Sequence, residues 1–281
     1  MKVCIFANRD KDKDLSVSRF TADCFTEKGV ECIICDSDTL KKGTLLRFRE
    51  ELKGCDLLVT VGGDGTLIRA ARDIKNLDIP LIGVNMGTIG YLTEINVENI
   101  PYMAGQIVKG DFFVEKRMMA GGTLTRGGET IFNNFALNDI VINKNTYSSM
   151  VSLDVYVDDQ LLTGYDADGI IISTPTGSTA YNLSAGGPLM VPSASMMVIT
   201  PICAHILSAR SVVVPGDSRI KIKIKEKRSI NEFSALVFDG AEAAEVKAGD
   251  EITITRLKQT TKLFRMSETS FYKVLQRKLS R

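Results

Sequence analysis

Apolar runs and amphipathic stretches alternate through the first hundred residues of the chain. Runs typical of buried strands cover residues 3–7, 30–35, 56–61 and 80–84. Residues spaced as on one apolar face of a helix lie between them, at 15–28, 39–53 and 66–73. Because strands that alternate with helices pair in parallel through right-handed crossovers, this pattern predicts an α/β domain with a mostly parallel sheet.

The pattern changes near residue 97, where one further helix is predicted over residues 97–109. Short extended runs then follow, at residues 132–142, 152–157, 161–165, 169–173, 212–214, 220–224, 235–238 and 251–255. The chain therefore predicts an α/β domain at residues 1–97 and a β-rich domain at residues 98–265. A basic amphipathic helix is predicted within residues 266–281, and we expect it to pack back on the first domain.

The composition is that of an ordinary folded protein, and it narrows the choice of function classes. The 281 residues carry 25% charged side chains and a formal net charge of +1, which gives no electrostatic argument for binding nucleic acid. No apolar run reaches the roughly 18 residues that a membrane span requires. The first residues lack a signal-peptide pattern, and the six cysteines are expected as free thiols. We therefore expect a cytoplasmic protein that binds neither nucleic acid nor membranes.

Two smaller patterns have a structural interpretation beside a functional one. Lys221, Lys223 and Lys225 alternate with isoleucines and share one face of a strand, which is either solvated or a contact for phosphates. Cys32 and Cys35 have CxxC spacing, but on a strand they point to opposite faces. That geometry disfavours a shared metal ion and favours a structural role.

The strongest candidate for chemistry is the segment Gly-Gly-Asp-Gly-Thr at residues 62–66, between a predicted strand and a predicted helix. Ligands bind at this end of the strands in an open α/β sheet, and glycine lets the backbone approach a phosphate closely. N–H groups at a helix start also favour an anion. The carboxylate of Asp64 repels phosphate unless a metal ion lies between them or Asp64 meets a substrate hydroxyl instead. Both interpretations predict phosphoryl transfer, and the alternative is a tight turn with an exposed Asp.

Three further segments combine glycine, hydroxyl or amide groups with apolar strands. A second glycine-containing loop covers residues 85–93, directly after a predicted strand. At Asn138 and Asp139 an amide and a carboxylate interrupt apolar residues, and leaving such a buried pair without partners costs about 1–3 kcal/mol per group. A hydroxyl- and glycine-rich turn over residues 173–188 offers short donors and acceptors to a polyhydroxylated or amide-bearing ligand. Each segment alone is also compatible with turn chemistry.

Taken in order, Gly-Gly-Asp-Gly-Thr, Asn-Asp and Thr-Pro-Thr-Gly-Ser-Thr-Ala-Tyr closely resemble the NAD kinase family. The resemblance covers nearly the whole chain, including the loop at 83–93, the segment 201–210 and the turn Phe-Asp-Gly at 238–240. The first element is shared with lipid kinases, whereas the last is far more selective. The resemblance implies an α/β domain, a β-rich domain and a ligand site between them. Neither a Rossmann glycine fingerprint nor a P-loop is present, so NAD as the ligand rests on the resemblance.

The resemblance implies that ATP, or polyphosphate, phosphorylates the 2′-hydroxyl of the adenosine ribose of NAD to give NADP. Asp64 is then expected near that hydroxyl, either as its proton acceptor or bound to Mg²⁺ through water. The donor phosphates are expected at Gly62, Gly63, Gly65 and Thr66. The NAD-binding residues implied in the same way are Asp64, Gly65, Tyr91, Asn138, Asp139, Asp168, Thr176, Thr179, Ala180, Tyr181 and Ser184.

The resemblance also implies a cofactor and an assembly. Mg²⁺ or another divalent cation is expected to accompany ATP, because the chain has no P-loop lysine to offset the triphosphate charge. No side chain is assigned as its direct ligand. A homodimer or homotetramer is expected, and a β-rich domain with little helix to cover its sheets agrees with a partner. The alternatives are a lipid kinase of the diacylglycerol or sphingosine type and a non-catalytic NAD(P)-binding sensor, against which the intact Asp64 argues.

Overall fold

The computed structural model describes residues 1–36, 51–74, 77–87, 90–145, 150–206, 208–225, 234–266 and 271–280. Its internal contacts divide it into unit 1, Met1–Lys116 with Thr261–Arg281, and unit 2, Arg117–Thr260. This division falls at other residues than the sequence-based domain limits, 1–97 and 98–265, which stay a prediction. No helix within the described ranges is long and apolar enough to cross a membrane.

Helices and strands alternate in the first part of the chain, and strands dominate the second. The helices are α1 (Ser16–Thr26), α2 (Asp64–Asp73), α3 (Ile100–Lys109), α4 (Tyr181–Ser184) and α5 (Phe271–Leu279), with 3-10 turns at Val97–Asn99 and Gly177–Thr179. The strands are β1 (Lys2–Ala7), β2 (Glu31–Asp36), β3 (Leu57–Gly62), β4 (Leu81–Asn85), β5 (Ile95–Asn96), β6 (Phe113–Arg126), β7 (Glu129–Ala136), β8 (Asp139–Lys144), β9 (Val151–Val157), β10 (Gln160–Ala167), β11 (Gly169–Ser173), β12 (Met196–Ile202), β13 (Val212–Pro215), β14 (Ile220–Ile224), β15 (Ser234–Phe238), β16 (Ala241–Val246) and β17 (Glu251–Arg265).

Unit 1 is built on a parallel sheet in the order β4-β3-β1-β2, with β5 and the end of β17 also parallel to β4. Strands β1, β3 and β4 are buried on both sides, so their sequences are nearly continuous apolar runs rather than alternating ones. Phe25 of α1 and Met103 of α3 belong to the same buried cluster as Val59 of β3. The carboxyl ends of β1, β3 and β4 therefore lie at one edge of a rigid sheet, with Gly62 directly beside Asn85.

Unit 2 contains two antiparallel groups of strands with a shared core. One group has the order β13-β12-β11-β8-β15-β16, and the other has the order β10-β9-β14-β17, with the β6–β7 hairpin beside β17. Alternate residues of β8 and β11 point to opposite faces, as a strand requires. Ile140 and Ile170 join the main core, whereas Val141 and Ile171 pack on the other side of the sheet. The predicted α/β part followed by a β-rich part is confirmed.

Two predicted strands differ from the structure, and one predicted helix is mostly not described. The run at 132–142 is two strands, β7 and β8, separated at Leu137 and Asn138. The N–H groups of these two residues donate to the side-chain carboxylate of Asp239 instead of to a strand carbonyl. The run at 251–255 continues to Arg265. The helix predicted at 39–53 falls mostly on residues 37–50, outside the described residues.

The alternating lysines of β14 lie on a solvated strand face, paired with acids. Lys221 contacts Asp159 at 3.4 Å, Lys223 contacts Glu251 at 2.7 Å and Lys225 contacts Asp154 at 2.9 Å. These ion pairs satisfy the charges within unit 2. The structural interpretation of this face therefore needs no phosphate ligand.

Candidate active site

The glycine-rich turn lies at the carboxyl end of β3 and opens helix α2. Gly63 is the extended residue before the helix, and its carbonyl accepts hydrogen bonds from the N–H groups of Thr66 (2.9 Å) and Leu67 (3.2 Å). A Cβ at Gly62 would overlap the Thr66 side chain, so Gly62 is needed for packing. A Cβ at Gly63 or Gly65 would meet no atom within 4 Å. These two glycines therefore leave open space beside the helix N-terminus, as a closely approaching anion requires.

Thr66 lies below the turn rather than on its surface. It is 2% exposed, and its hydroxyl accepts a hydrogen bond from Asn8 Nδ2 at 3.0 Å. Asn8 follows β1, and its backbone N–H donates to the Val61 carbonyl at 3.1 Å. Thr66 thus joins the ends of two neighbouring strands, and its predicted contact with donor phosphate stays a prediction.

Asp64 is the first residue of α2, and the second glycine loop encloses its carboxylate. Oδ2 accepts a hydrogen bond from the Tyr91 N–H at 2.7 Å. Oδ1 accepts from the N–H groups of Leu92 (3.2 Å) and Thr93 (2.9 Å) and from the Thr93 hydroxyl (2.8 Å). A Cβ at Gly90 would overlap this carboxylate, so only glycine fits there. Asp64 is therefore held in one orientation, and Oδ2, with a single donor, retains acceptor capacity.

Tyr91 lies against the C-terminal helix α5 in unit 1. Its ring centroid is 6.3 Å from that of Phe271, and Lys278 Nζ lies 4.6 Å from the ring centroid, in cation–π geometry. Burial, followed by the charge of Asp64, raises the pKa of the Tyr91 hydroxyl. The structure therefore places Tyr91 beside Asp64. It also brings α5 to this loop, a contact that the sequence did not predict.

Asn138 and Asp139 lie where β7 ends and β8 begins, and the carboxylate of Asp239 fixes this point. It accepts hydrogen bonds from three successive N–H groups, those of Leu137 (2.8 Å), Asn138 (2.7 Å) and Asp139 (3.2 Å). Within the described part of the chain, Asn138 Oδ1 is buried and accepts no hydrogen bond. An amide oxygen of this kind is suited to a ligand that carries a donor.

Asp139 is an acid in an unfavourable environment for its charge. It is 5% exposed, and burial, followed by the like charge of Asp239, raises its pKa to about 7. Such perturbation is typical of functional sites, since it is otherwise a cost to the folded state. Burial first, then Cys203, Asp139 and Asp168, raise the pKa of Tyr181. The structure thus brings Tyr181, Asp139 and Asp168 into one neighbourhood of unit 2.

The remaining predicted residues of unit 2 differ in exposure. Thr176 is 4% exposed and accepts a hydrogen bond from Arg117 Nη1 at 3.3 Å. Thr179 and Ala180 are half-buried, and Tyr181 and Ser184 are exposed on α4. Asp168 forms an ion pair with Lys144 at 2.6 Å. Binding a hydroxyl or amide at Asp168 therefore involves a carboxylate whose charge is already partly balanced.

Some residues that build these sites were not identified from the sequence. Asn182 is fully buried; its Nδ2 donates to the carbonyls of Ser178 (3.3 Å) and Pro188 (3.0 Å), and its Oδ1 accepts from the Thr200 hydroxyl (2.7 Å). Asp239 and Gly90 were likewise quoted only as parts of longer segments. The sequence signal at these positions is weak: Asn182 and Asp239 are polar residues within turn segments, and Gly90 is one of several glycines in its loop.

The described residues contain no ready-made metal centre. No group of three or more His, Cys, Asp or Glu side chains among them is placed to hold one. Asp64 already accepts four hydrogen bonds from unit 1. No chemical step is therefore assigned to an ion bound by this chain.

Fold and site first define a class of protein. A parallel sheet that presents open glycines, a helix N-terminus and a fixed carboxylate at one edge is equipped for phosphoryl transfer. The accompanying β-rich unit carries a separate cluster of polar and acidic groups at the start of β8. Together these features define a two-domain phosphotransferase.

Comparisons with known proteins narrow this class to one family. The model of the ATP-NAD kinase N-terminal domain matches residues 6–112, and that of the ATP-NAD kinase C-terminal domain matches residues 137–266. An NAD kinase of Lachnoclostridium phytofermentans is 37% identical over 280 residues, which cover 99% of this chain and 98% of that protein. An NAD kinase of Geotalea daltonii is 45% identical over 224 residues, covering 80% and 78%. The chain belongs to the NAD kinase family.

Two solved structures share the fold. The crystal structure of yeast NADH kinase complexed with NADH has a TM-score of 0.85 at 23% identity and covers 100% of this chain and 88% of that one. An NAD kinase from Archaeoglobus fulgidus in complex with ATP has a TM-score of 0.78 at 24% identity, covering 100% and 99%. The predicted family and the prediction of an enzyme are confirmed, and neither the lipid-kinase nor the sensor alternative gains support.

Proposed function

We propose that the protein is an NAD kinase that transfers the γ-phosphoryl group of ATP to the 2′-hydroxyl of the adenosine ribose of NAD. The bond between the 2′-oxygen and the γ-phosphorus forms while the bond to the β-phosphate bridging oxygen breaks. The hydroxyl proton passes to Asp64, and NADP and ADP leave. Family membership supports the substrate class, and the position of Asp64 supports the reaction.

The observation that carries this proposal is the fixed carboxylate of Asp64 at the start of α2. Four hydrogen bonds hold it in one orientation. Phosphoryl transfer proceeds through a loose transition state in which positioning contributes most of the rate, so a preorganised acceptor is what the reaction needs. Oδ2 is the oxygen we assign to the substrate hydroxyl, because it has one protein donor while Oδ1 has three.

We assign the donor phosphates to the open side of the glycine turn. Gly63 and Gly65 have space for a ligand where a side chain would stand, and the first N–H groups of α2 attract an anion. Gly62 and Thr66 support this surface from within the fold. ATP and polyphosphate present the same phosphate chemistry to this surface. Rates of NADP formation with each donor in the same assay show which of the two the protein uses.

We assign the dinucleotide to Asn138, Asp139 and the turn that follows β11. The unpaired Oδ1 of Asn138 is suited to a base or carboxamide N–H, and Asp139 is suited to ribose hydroxyls. The further NAD contacts are carried over from the family resemblance; they are Asp64, Gly65, Tyr91, Asp168, Thr176, Thr179, Ala180, Tyr181 and Ser184. The placement of the ligand between the two domains rests on the same resemblance.

We propose that a divalent cation, in the first place Mg²⁺, enters as the ATP complex. Bound to the phosphates, it would neutralise part of their charge. EDTA is then expected to abolish turnover, and full turnover in EDTA would contradict the proposal. NAD binding measured by calorimetry in EDTA is expected to persist, which separates the cation from the dinucleotide.

We propose a homodimer or homotetramer in which NAD binding depends on assembly. One subunit would supply Asp64, Asn138 and Asp139, and a neighbour would supply part of the 168–181 segment. Sedimentation measured together with initial rates over a range of protein concentrations tests this. Assembly and specific activity are expected to fall together, and a fully active monomer would refute the shared site.

We propose a cytoplasmic location. All six cysteines are free in the structure, as a reducing compartment would keep them. Fractionation of the producing cells checks this, with the protein expected beside a cytoplasmic marker.

The proposed function is tested by mixing purified protein with ATP, Mg²⁺ and NAD and measuring NADP with an NADP-specific dehydrogenase. Wild type is expected to form NADP, and Asp64→Asn is expected to lose turnover while its NAD affinity stays within about tenfold, or about 1.4 kcal/mol. Asp78→Asn, at an exposed acid of the same unit paired with Lys262, serves as the control and is expected to remain active. No NADP from wild type would overturn the proposal.

A further inference from the structure

Asp239 makes three backbone hydrogen bonds at the point where β7 gives way to β8. Its Oδ2 accepts from the Leu137 N–H at 2.8 Å, and its Oδ1 accepts from the N–H groups of Asn138 at 2.7 Å and Asp139 at 3.2 Å. The contact is reciprocal, because the Asp239 N–H donates to the Asp139 carbonyl at 3.1 Å. One carboxylate thus accepts the N–H groups of three successive residues.

The opposite edge of the same segment is held by Thr174. Its hydroxyl donates to the Leu137 carbonyl at 2.5 Å, and its N–H donates to the Asn138 carbonyl at 2.8 Å. A Cβ at Gly177 would overlap the Asn138 carbonyl, so this side is closely packed as well. The backbone of residues 137–139 is therefore held from both sides. The side chains of Asn138 and Asp139 are the groups of this segment that remain for a ligand.

The turn that carries Asp239 is preset by its sequence. Phe238 pairs with Ala241, so Asp239 and Gly240 form a two-residue hairpin loop between β15 and β16. Both have positive φ, 49° and 73°, which is the type I′ pattern that Asp-Gly favours. The hairpin therefore fixes the backbone of Asp239, the residue whose carboxylate binds residues 137–139.

We propose that Asp239 is a positioning residue for NAD, which acts by holding Asn138 and Asp139 in the geometry that binds the dinucleotide. This inference rests on the proposed function and adds to it a residue that need not touch the substrate. Hydrogen bonds from N–H groups to a carboxylate are roughly twice as strong as neutral ones. A neutral side chain at position 239 therefore holds residues 137–139 less tightly. In an asparagine, the NH₂ group would also face at least one backbone N–H, so that two donors would meet.

The test uses Asp239→Asn with Asp250→Asn as the matched control. Asp250 is also a buried carboxylate of unit 2, 1% exposed, and it accepts a backbone hydrogen bond from Lys247 at 2.8 Å and pairs with Arg126 at 2.8 Å. For Asp239→Asn we expect a KM for NAD raised at least tenfold, a KM for ATP within about twofold and a kcat at saturating NAD within about threefold. For Asp250→Asn we expect lower thermal stability with an unchanged KM for NAD.

Hydrogen exchange and a second variant test the same role of Asp239 independently of the kinetics of Asp239→Asn. Amide hydrogen exchange of residues 137–139 is expected to accelerate in Asp239→Asn and not in Asp250→Asn. If Asp239→Asn does not fold, Thr174→Val, which removes the hydroxyl bond to the same segment and keeps the shape, is expected to raise the KM for NAD in the same selective way. If the variant that folds, Asp239→Asn or otherwise Thr174→Val, has the same KM for NAD as wild type, the inference is overturned. A wild type that makes no NADP would instead overturn the proposed function.

Discussion

Each unit contains one acid to which the proposed function assigns a role, and the surroundings of these two acids differ. Asp64 in unit 1 is partly exposed, and four hydrogen bonds hold its carboxylate in one orientation. Asp139 in unit 2 is buried beside Asp239, and its pKa is raised to about 7. The first arrangement fixes the direction of an acceptor. The second produces an acid whose charge changes near neutral pH, at a cost to stability.

Among the substitutions that test the role of the fixed Asp64 carboxylate, Gly90→Ala is expected to have the largest effect. The added methyl group would overlap the Asp64 carboxylate, so the acid must leave its position or the loop must move. We expect kcat to fall by about a thousandfold, equivalent to about 4 kcal/mol in the activation free energy. Gly105→Ala in α3, where the nearest atom to the new Cβ is Lys28 Cε at 3.9 Å, is the control and is expected to keep wild-type kinetics. A fully active Gly90→Ala enzyme would show that the enclosure of Asp64 is unnecessary.

Gly65→Ala tests the open surface of the same turn. The methyl group meets no protein atom within 4 Å, and alanine favours a helix by up to about 1 kcal/mol over glycine. A purely structural role for Gly65 therefore predicts equal or higher stability with normal kinetics. Our account predicts the same stability with a KM for ATP raised about tenfold, because the methyl group enters the space of the phosphates. Thermal melting and steady-state kinetics on one preparation distinguish the two.

The acid of unit 2 can be tested through pH. Because its pKa is raised from 3.8 to about 7, the stability associated with protonated Asp139 is present at acidic pH and is lost as pH rises through about 7. Asp139→Asn is therefore expected to raise the melting temperature by about 5 °C at pH 8 and by less at pH 4. If the ionised form binds ribose hydroxyls, wild-type affinity for NAD rises between pH 6 and pH 8. A variant whose affinity follows the same pH curve as wild type would remove Asp139 from that role.

Thr93→Val should have the smallest effect. It removes the hydroxyl bond to Asp64 at 2.8 Å and keeps the backbone bond at 2.9 Å. We expect kcat to fall by about fivefold, since a single hydrogen bond among four contributes about 1 kcal/mol. Stopped assays at saturating ATP and NAD check this. A loss of kcat as large as that of Gly90→Ala would mean that the Thr93 hydroxyl alone, rather than the four hydrogen bonds together, positions Asp64.

The sequence located most elements because their apolar periodicity is local. Residues 169–173 and 220–224 were predicted as strands with the limits that β11 and β14 have. The split of the run at 132–142 could not be predicted, because it depends on Asp239, 100 residues further along. Sequence periodicity carries no information on such a distant partner.

The candidate site shows the same limit. Asp64 stands out in a glycine-rich turn, but its four donors come from residues 27 to 29 positions later, in a loop with its own pattern. The sequence predicts Thr66 as a phosphate contact, and it gave no sign that its hydroxyl also accepts a hydrogen bond from Asn8, which follows β1. Residue types identify candidates for chemistry, whereas burial and orientation decide which of them face a ligand.

In the proposed reaction, Asp64 accepts the proton of the NAD 2′-hydroxyl during phosphoryl transfer. The most direct measurement follows the reaction of ATP, Mg²⁺ and NAD by ³¹P NMR, with wild type and Asp64→Asn at equal NAD occupancy. Wild type is predicted to form a ribose 2′-phosphate and ADP in equal amounts, while Asp64→Asn forms neither. A phosphate at another position, or a rate for Asp64→Asn close to that of wild type, would contradict the account.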